Sequence, residues 1–362
     1  METLLEYKCP CCGGKVEFSS EHQKLKCPYC ETEFDIEALE QERAEQEQEA
    51  APEELRWQEP QQQWDEEEAG RFGVYTCKSC GGEILAEDTT AASHCPYCGN
   101  PVILTGRLSG GLKPDLVIPF QLDKKAAKDA LRKHMSGKKL LPKLFREESH
   151  LDEIKGVYVP FWLFDAGADG SGRYTATRIQ TWSDSDYTYT KTSHFSASRS
   201  GKMEFRSIPV DGAGKIPDDL MESVEPFDIA QAQPFRPEYL SGYLADRYDV
   251  DAEKSEGRAN ERIRSSVGDA LQDTVTGYDT VLAAQTNVQL RDAQAKYALF
   301  PVWLMTTTYK GETYLYAMNG QNGRIAGNMP VDSGAFWKWY AIYAAATGVG
   351  LWLLWLLLRM IL

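Results

Sequence analysis

The feature that most constrains this chain is a cysteine pattern that occurs twice in its first hundred residues. Cys9-x2-Cys12-Gly13-Gly14 is paired with Cys27-Pro28-Tyr29-Cys30, with fourteen residues between Cys12 and Cys27. Cys77-x2-Cys80-Gly81-Gly82 is paired with Cys95-Pro96-Tyr97-Cys98, again across fourteen residues. A Cys-x2-Cys turn offers two thiolates to one ion, and two such turns close a tetrahedron of four soft ligands. That is the zinc-ribbon arrangement. Cys9, Cys12, Cys27 and Cys30 are assigned to one Zn²⁺, and Cys77, Cys80, Cys95 and Cys98 to a second. The shared spacing and fillers mark the duplication of a module of about thirty residues.

Cys11 lies outside the shared register and reads as a bystander thiol. Iron also accepts four thiolates, but no partner redox motif accompanies them. A glutaredoxin-like reading of Cys27-Pro28-Tyr29-Cys30 would need a βαβ context that the flanking sequence lacks. Met1 to Lys8 carries Glu2 and Glu6 without a long apolar run, so no export signal is expected. Nine clustered cysteines, an odd number, then point to reduced metal-binding thiols and a cytoplasmic N-terminus.

Charge is informative once located. Glu31 to Gly70 holds sixteen Asp/Glu and two Arg, a net of −14 against −15 for all 362 residues. The remainder is close to neutral and is expected to lack the basic field of sequence-independent nucleic-acid binding. Asp35 to Glu54 could form a solvated helix. Pro52, Pro60 and Gln61-Gln62-Gln63 mark a weakly structured tether beyond it. As a spacer it carries no chemistry; as an acidic peptide it could dock on a basic partner.

The expected fold class is α+β. Its divisions are ribbon 1 (1–34), an acidic linker (35–70), ribbon 2 (71–108), a mixed α/β domain (109–335) and a C-terminal transmembrane helix (337–360). In the domain, Asp123 to Met135 and Asn260 to Val275 read as helices, the latter from Ile263, Val267, Leu271 and Val275 at every fourth position. Strands are expected over 157–164, 173–181, 186–195, 298–309 and 312–318, with Lys310-Gly311 as a hairpin turn. Pro160-Phe161-Trp162-Leu163 resembles Pro301-Val302-Trp303-Leu304. Two readings stay open: buried strands that each open on a proline, or a duplicated half-domain.

Tyr340 to Leu358 is nineteen residues without a charge, reaching about 28 Å at ~1.5 Å per residue. Trp337, Trp339 and Tyr340 suit an interfacial belt, and Arg359 can snorkel to the far headgroups. One membrane span is expected, inserted tail-first, with the preceding residues cytoplasmic. The alternative is a buried core helix.

No catalytic constellation is found. His22, His94, His134, His150 and His194 show no His-Glu-x-x-His spacing. Gly167 to Arg173 is Gly-rich but lacks the lysine of a phosphate loop, and no Gly-x-Ser-x-Gly elbow exists. Asp165, Asp169, Asp184 and Asp186 read as a solvated loop. The expectation is no enzyme and no small-molecule substrate.

Two ribbons, Pro119-Phe120, the run Tyr158-Val159-Pro160-Phe161-Trp162-Leu163-Phe164-Asp165 and Ala317-Met318-Asn319-Gly320-Gln321 resemble a bacterial group. It is the TFIIB-type double zinc-ribbon membrane proteins, and within them the Bacillus YdjG-like group. The resemblance covers nearly the whole chain. It implies a membrane-bound scaffold working beside an SPFH/flotillin-like protein and a phage-shock-type protein in envelope stress. A helicase label sometimes given to such ribbons finds no nucleotide-binding loop here. The leading expectation is a membrane-anchored scaffold that recruits protein partners to the cytoplasmic membrane. The alternative is a membrane-tethered nucleic-acid-binding regulator.

Overall fold

The computed structural model describes residues 9, 14–20, 22–36, 57–87, 94–147, 151 and 153–361. Cys11, Cys12 and all of the expected linker helix beyond residue 36 lie outside the described residues. The chain divides into two compact units. The first comprises Met1–Gln58, Phe164–Ile208 and Glu256–Ala295; the second comprises Glu59–Leu163, Pro209–Ser255 and Lys296–Leu362.

In the first unit, β1 (Glu17–Ser19), β2 (Lys24–Lys26) and β3 (Glu33–Phe34) form a small antiparallel sheet. Its core is Cys9, Val16 and Cys27, with Leu25, Cys30 and Phe34 packed against them.

The second unit opens with β4 (Phe72–Cys77), β5 (Glu83–Glu87) and β6 (Val102–Arg107), in which β4 pairs with both neighbours. Next come β7 (Leu116–Val117) and helix α1 (Lys124–Met135). Asp123 caps α1 by accepting from the Ala126 N–H at 2.7 Å, and Ala127, Leu131 and Met135 supply its buried stripe.

Along the chain, two long strands follow, β8 (Lys155–Ser183) and β9 (Thr188–Asp211), which run from the second unit into the first and back. Then come α2 (Asp218–Val224), β10 (Gln233–Pro234), β11 (Leu244–Asp246) and α3 (Ala252–Asp273). The chain closes with β12 (Thr280–Tyr309), β13 (Glu312–Asn319), β14 (Ile325–Gly327) and α4 (Ser333–Ile361).

The large sheet runs β10-β7-β12-β8-β11-β5-β4-β6, with β9 beside β8, β13 beside β12 and β14 beside β13. The sequence leads one to expect residues 71–108 as a separate module. Instead, β5 pairs with β11 through Leu85–Ala245 and Ile84–Asp246, so the second cysteine module continues the sheet. The reason is visible in β5, where Ile84, Leu85 and Ala86 are all buried. A strand covered on both faces belongs to an interior. Residues 59–70, expected as free tether, also pack: Trp64 meets Phe72 and Phe235 edge-on and donates to the Leu112 carbonyl at 3.1 Å.

Two expected strands merge. The runs 157–164 and 173–181 are one strand, β8, because the glycines between them are packing residues rather than breakers. A Cβ at Gly170 would overlap Val267 of α3, so only glycine lets that helix approach. Asp165 and Asp169 consequently lie on β8 and not in a loop, and Asp169 pairs with Arg291 and Lys202. Asp184 and Asp186 do sit at the β8–β9 turn.

Pro160 and Pro301 stand inside β8 and β12 rather than at strand starts. Each offers its carbonyl: Gly212 N–H donates to Pro160 at 2.9 Å, and Gly320 N–H to Pro301 at 2.8 Å. Lys310-Gly311 turns the β12–β13 hairpin with φ of 54° and 85°, the left-handed pair of a type I′ turn.

Asp332 caps α4, accepting from the Gly334 and Ala335 N–H groups at 2.8 and 3.0 Å. Ser333–Arg359 is long and apolar enough to span a bilayer, and none of it is buried. A core helix of a soluble protein would be covered by its own chain; this one leaves Leu351, Trp352 and Leu357 open.

Candidate metal centres

The second cysteine cluster is the better defined. Cys77 ends β4, and a turn closed by Cys77 N–H to Gly82 O (3.0 Å) and Gly81 N–H to Cys77 O (2.8 Å) swings Cys80 beside it. The second turn repeats this with Cys95 N–H to Asn100 O (2.7 Å) and Gly99 N–H to Cys95 O (3.1 Å). Gly81 and Gly99 have φ of +74° and +73°, a conformation in which a side chain would be strained.

The four sulfurs lie within 4.8 Å of one another. Cys77–Cys98 is 3.5 Å and Cys80–Cys95 is 3.6 Å. Four thiolates at ~2.3 Å from a common ion would be separated by about 3.8 Å, so the donor set fits a tetrahedral metal.

The protein also supplies N–H groups to the sulfurs. Gly82 reaches Cys80, and Asn100 reaches Cys98 through backbone and side chain. Burial raises the Cys98 thiol, but the Asn100 bonds and neighbouring sulfurs outweigh it and bring it down to about 7. Burial dominates at Cys80 and Cys95 and pushes both thiols up. Those two therefore gain most from a cation that replaces the proton.

The first cluster brings Cys9, Cys27 and Cys30 together, with Cys9–Cys30 at 3.5 Å. Cys12 lies outside the described residues. Burial raises the Cys30 thiol, yet Thr32 donors and the adjacent sulfurs lower it to about 6. Glu31 occupies the place that Gly99 fills in the other cluster and takes the same left-handed conformation, φ 60°.

The two copies differ most at the tyrosine between their last cysteines. Tyr29 is 76 % exposed, whereas Tyr97 is 6 % exposed within the core of the second unit. Tyr97 faces Asp246 of β11, though without the geometry of a good hydrogen bond. Burial and the Asp249 charge push the Asp246 carboxyl up to about 8. Thr306 of β12 donates to the Pro96 carbonyl, and Lys155 of β8 to the His94 carbonyl at 2.6 Å. Beside these contacts lies an open cleft of about 530 Å³ lined by His94, Glu153, Lys155 and Thr306. Sequence spacing had no means of bringing these residues to the metal centre.

The chain is 33 % identical over 353 residues to the uncharacterized protein YdjG of Bacillus subtilis strain 168, covering 96 % of each chain. It belongs to the YdjG family. No family model matches the chain, and no solved structure does.

Proposed function

We propose that this protein is a membrane-anchored zinc-binding scaffold that recruits protein partners to the cytoplasmic membrane. In this reading α4 crosses the cell membrane once and the preceding residues are cytoplasmic. Both cysteine clusters are zinc ribbons, each holding one Zn²⁺ through four thiolates. A closed tetrahedron leaves no position for water or substrate, so the ions brace structure and the scaffold is no enzyme.

The observation that carries the proposal is Tyr29: an exposed aromatic on a turn pinned by metal ligands. Tyrosines of this kind, rigid and amphipathic, are enriched where proteins dock. The resemblance noted above suggests an SPFH/flotillin-like protein and a phage-shock-type protein as partners, in envelope stress.

The central domain fits a duplicated half-domain. β7–α1–β8–β9 and β11–α3–β12–β13 follow the same order, and each short strand pairs in parallel with the long strand of the other half. Trp162 Nε1 donates to Val250 O, one residue before Asp251 at the start of α3. Trp303 Nε1 donates to Leu122 O, one residue before the Asp123 cap of α1.

The test is a pull-down of tagged full chain from mild detergent, read by mass spectrometry. Tyr29→Ala and Cys27→Ser/Cys30→Ser should each lose the protein partners while remaining folded. An unchanged partner set would refute the scaffold reading. Salt-sensitive DNA binding lost in the same variants would favour the tethered regulator instead.

A further inference from the structure

Lys124 to Arg146 holds nine Lys/Arg and one acid, Asp129, a net of +8 inside a chain of net −15. The segment comprises α1 and the turns that follow it. α1 spends its apolar stripe on a core that includes Leu131, Trp303 and Tyr316. Its charged faces are therefore turned outward: Lys124, Lys125 and Lys133 are exposed, as are Lys139 and Lys143 beyond the helix. Lys125, Lys133, Lys139 and Lys143 have no carboxylate partner among the described residues.

This cationic surface is fixed to the start of α4. The Asp332 N–H donates to the Leu140 carbonyl at 2.8 Å, and Lys138 Nζ meets Met329 Sδ at 3.1 Å. Lys139 Nζ stands 3.9 Å from the centre of the Trp339 ring. Trp339 is the first residue of the uncharged run that follows Lys338 and ends before Arg359. Lys139 thus stands at the level where α4 passes from the charged Lys338 into its uncharged run, and the exposed lysines of α1 belong to the same cationic segment.

We propose that α1 and residues 138–143 form a docking surface for anionic phospholipid headgroups. The proposal rests on reading α4 as a membrane span. Phosphates of an anionic leaflet would meet the Lys139 ammonium group held at headgroup depth by its Trp339 contact, with the exposed lysines of the same segment available beside it. The surface would also orient an acidic protein that an anionic membrane otherwise repels.

The test uses full-length protein in vesicles of phosphatidylcholine, with or without phosphatidylglycerol. Amine labelling is read residue by residue, and quenching of Trp352 and Trp355 by brominated acyl chains reports insertion. With phosphatidylglycerol, labelling of Lys125, Lys133, Lys139 and Lys143 should fall roughly five-fold and recover in high salt. The K125Q/K133Q/K139Q/K143Q variant should keep the quenching and lose the protection still readable at Lys124.

Equal labelling in the two vesicles, with quenching intact, overturns the lipid surface and leaves the span standing. Protection in both vesicles would assign the surface to a protein segment, such as the acidic residues 31–70, and overturn it too. Protection in neutral vesicles only on adding duplex DNA would make it a nucleic-acid surface. Absence of quenching removes the span and the proposal together.

Discussion

The two cysteine modules share spacing, Gly-Gly or Pro-Tyr fillers and turn geometry, yet the chain uses them differently. In the second, β5 joins the large sheet, Tyr97 is buried and Pro96 is held by Thr306. In the first, three strands close on their own small core and Tyr29 is exposed. A cysteine knuckle is thus a local device whose role is set by its flanking strands. Three consecutive apolar residues, Ile84-Leu85-Ala86, draw one copy into a sheet. The first copy offers no such run, and its Phe18 stays exposed.

The largest effect that could break this contrast comes from the ligands. Cys77→Ser/Cys95→Ser should lower the melting temperature of the detergent-solubilised chain by roughly 10 °C or more, because a metal bound there, as proposed, would contribute folding energy to the sheet. Cys27→Ser/Cys30→Ser should leave the main transition within about 2 °C and, on the proposed reading of two zinc sites, halve the metal found by elemental analysis. Next in size are the tyrosines. Tyr97→Ala removes a fully packed ring and should cost about 3–5 kcal/mol, whereas Tyr29→Ala should stay within about 0.5 kcal/mol, both read from thermal unfolding.

Asp246 sharpens the contrast through pH. Its folded carboxyl, raised to about 8 chiefly by burial, binds a proton that the unfolded chain releases near 3.8. Stability therefore falls as pH rises between those values and levels off above about 8. Asp246→Asn should flatten that decline, and the gap between variant and parent should widen from pH 5 to pH 8. A constant gap would show that the carboxyl does not titrate in this window. The smallest expected effect is at Glu31, the non-glycine in a left-handed position. Glu31→Gly should relieve about 0.5–1 kcal/mol of strain and tighten zinc in the first module a few-fold against a competing chelator.

Much of the candidate site was legible because metal ligation is written in spacing: Cys77, Cys80, Cys95 and Cys98 converge as their pattern implies. The helix ending at Met135 and the Lys310-Gly311 turn were legible for the same reason, being local. What the sequence concealed was non-local. Gly167, Gly170 and Gly172 look like strand breakers until α3 is seen packing over Gly170. The pairing of β5 with β11 joins residues about 160 apart, and no periodicity reports it. Averaging the charge outside the acidic segment to near zero likewise hid the cationic run of residues 124–146, which matters only because it sits beside Trp339.

The most direct test is native-state hydrogen exchange on the full chain in detergent, before and after disabling each metal module. The account predicts that Cys77→Ser/Cys95→Ser deprotects β4, β5, β6 and β11 together, whereas Cys27→Ser/Cys30→Ser leaves residues 72–107 and 244–246 unchanged. Equal deprotection of those strands by both variants, or by neither, would contradict the division of labour between the two modules.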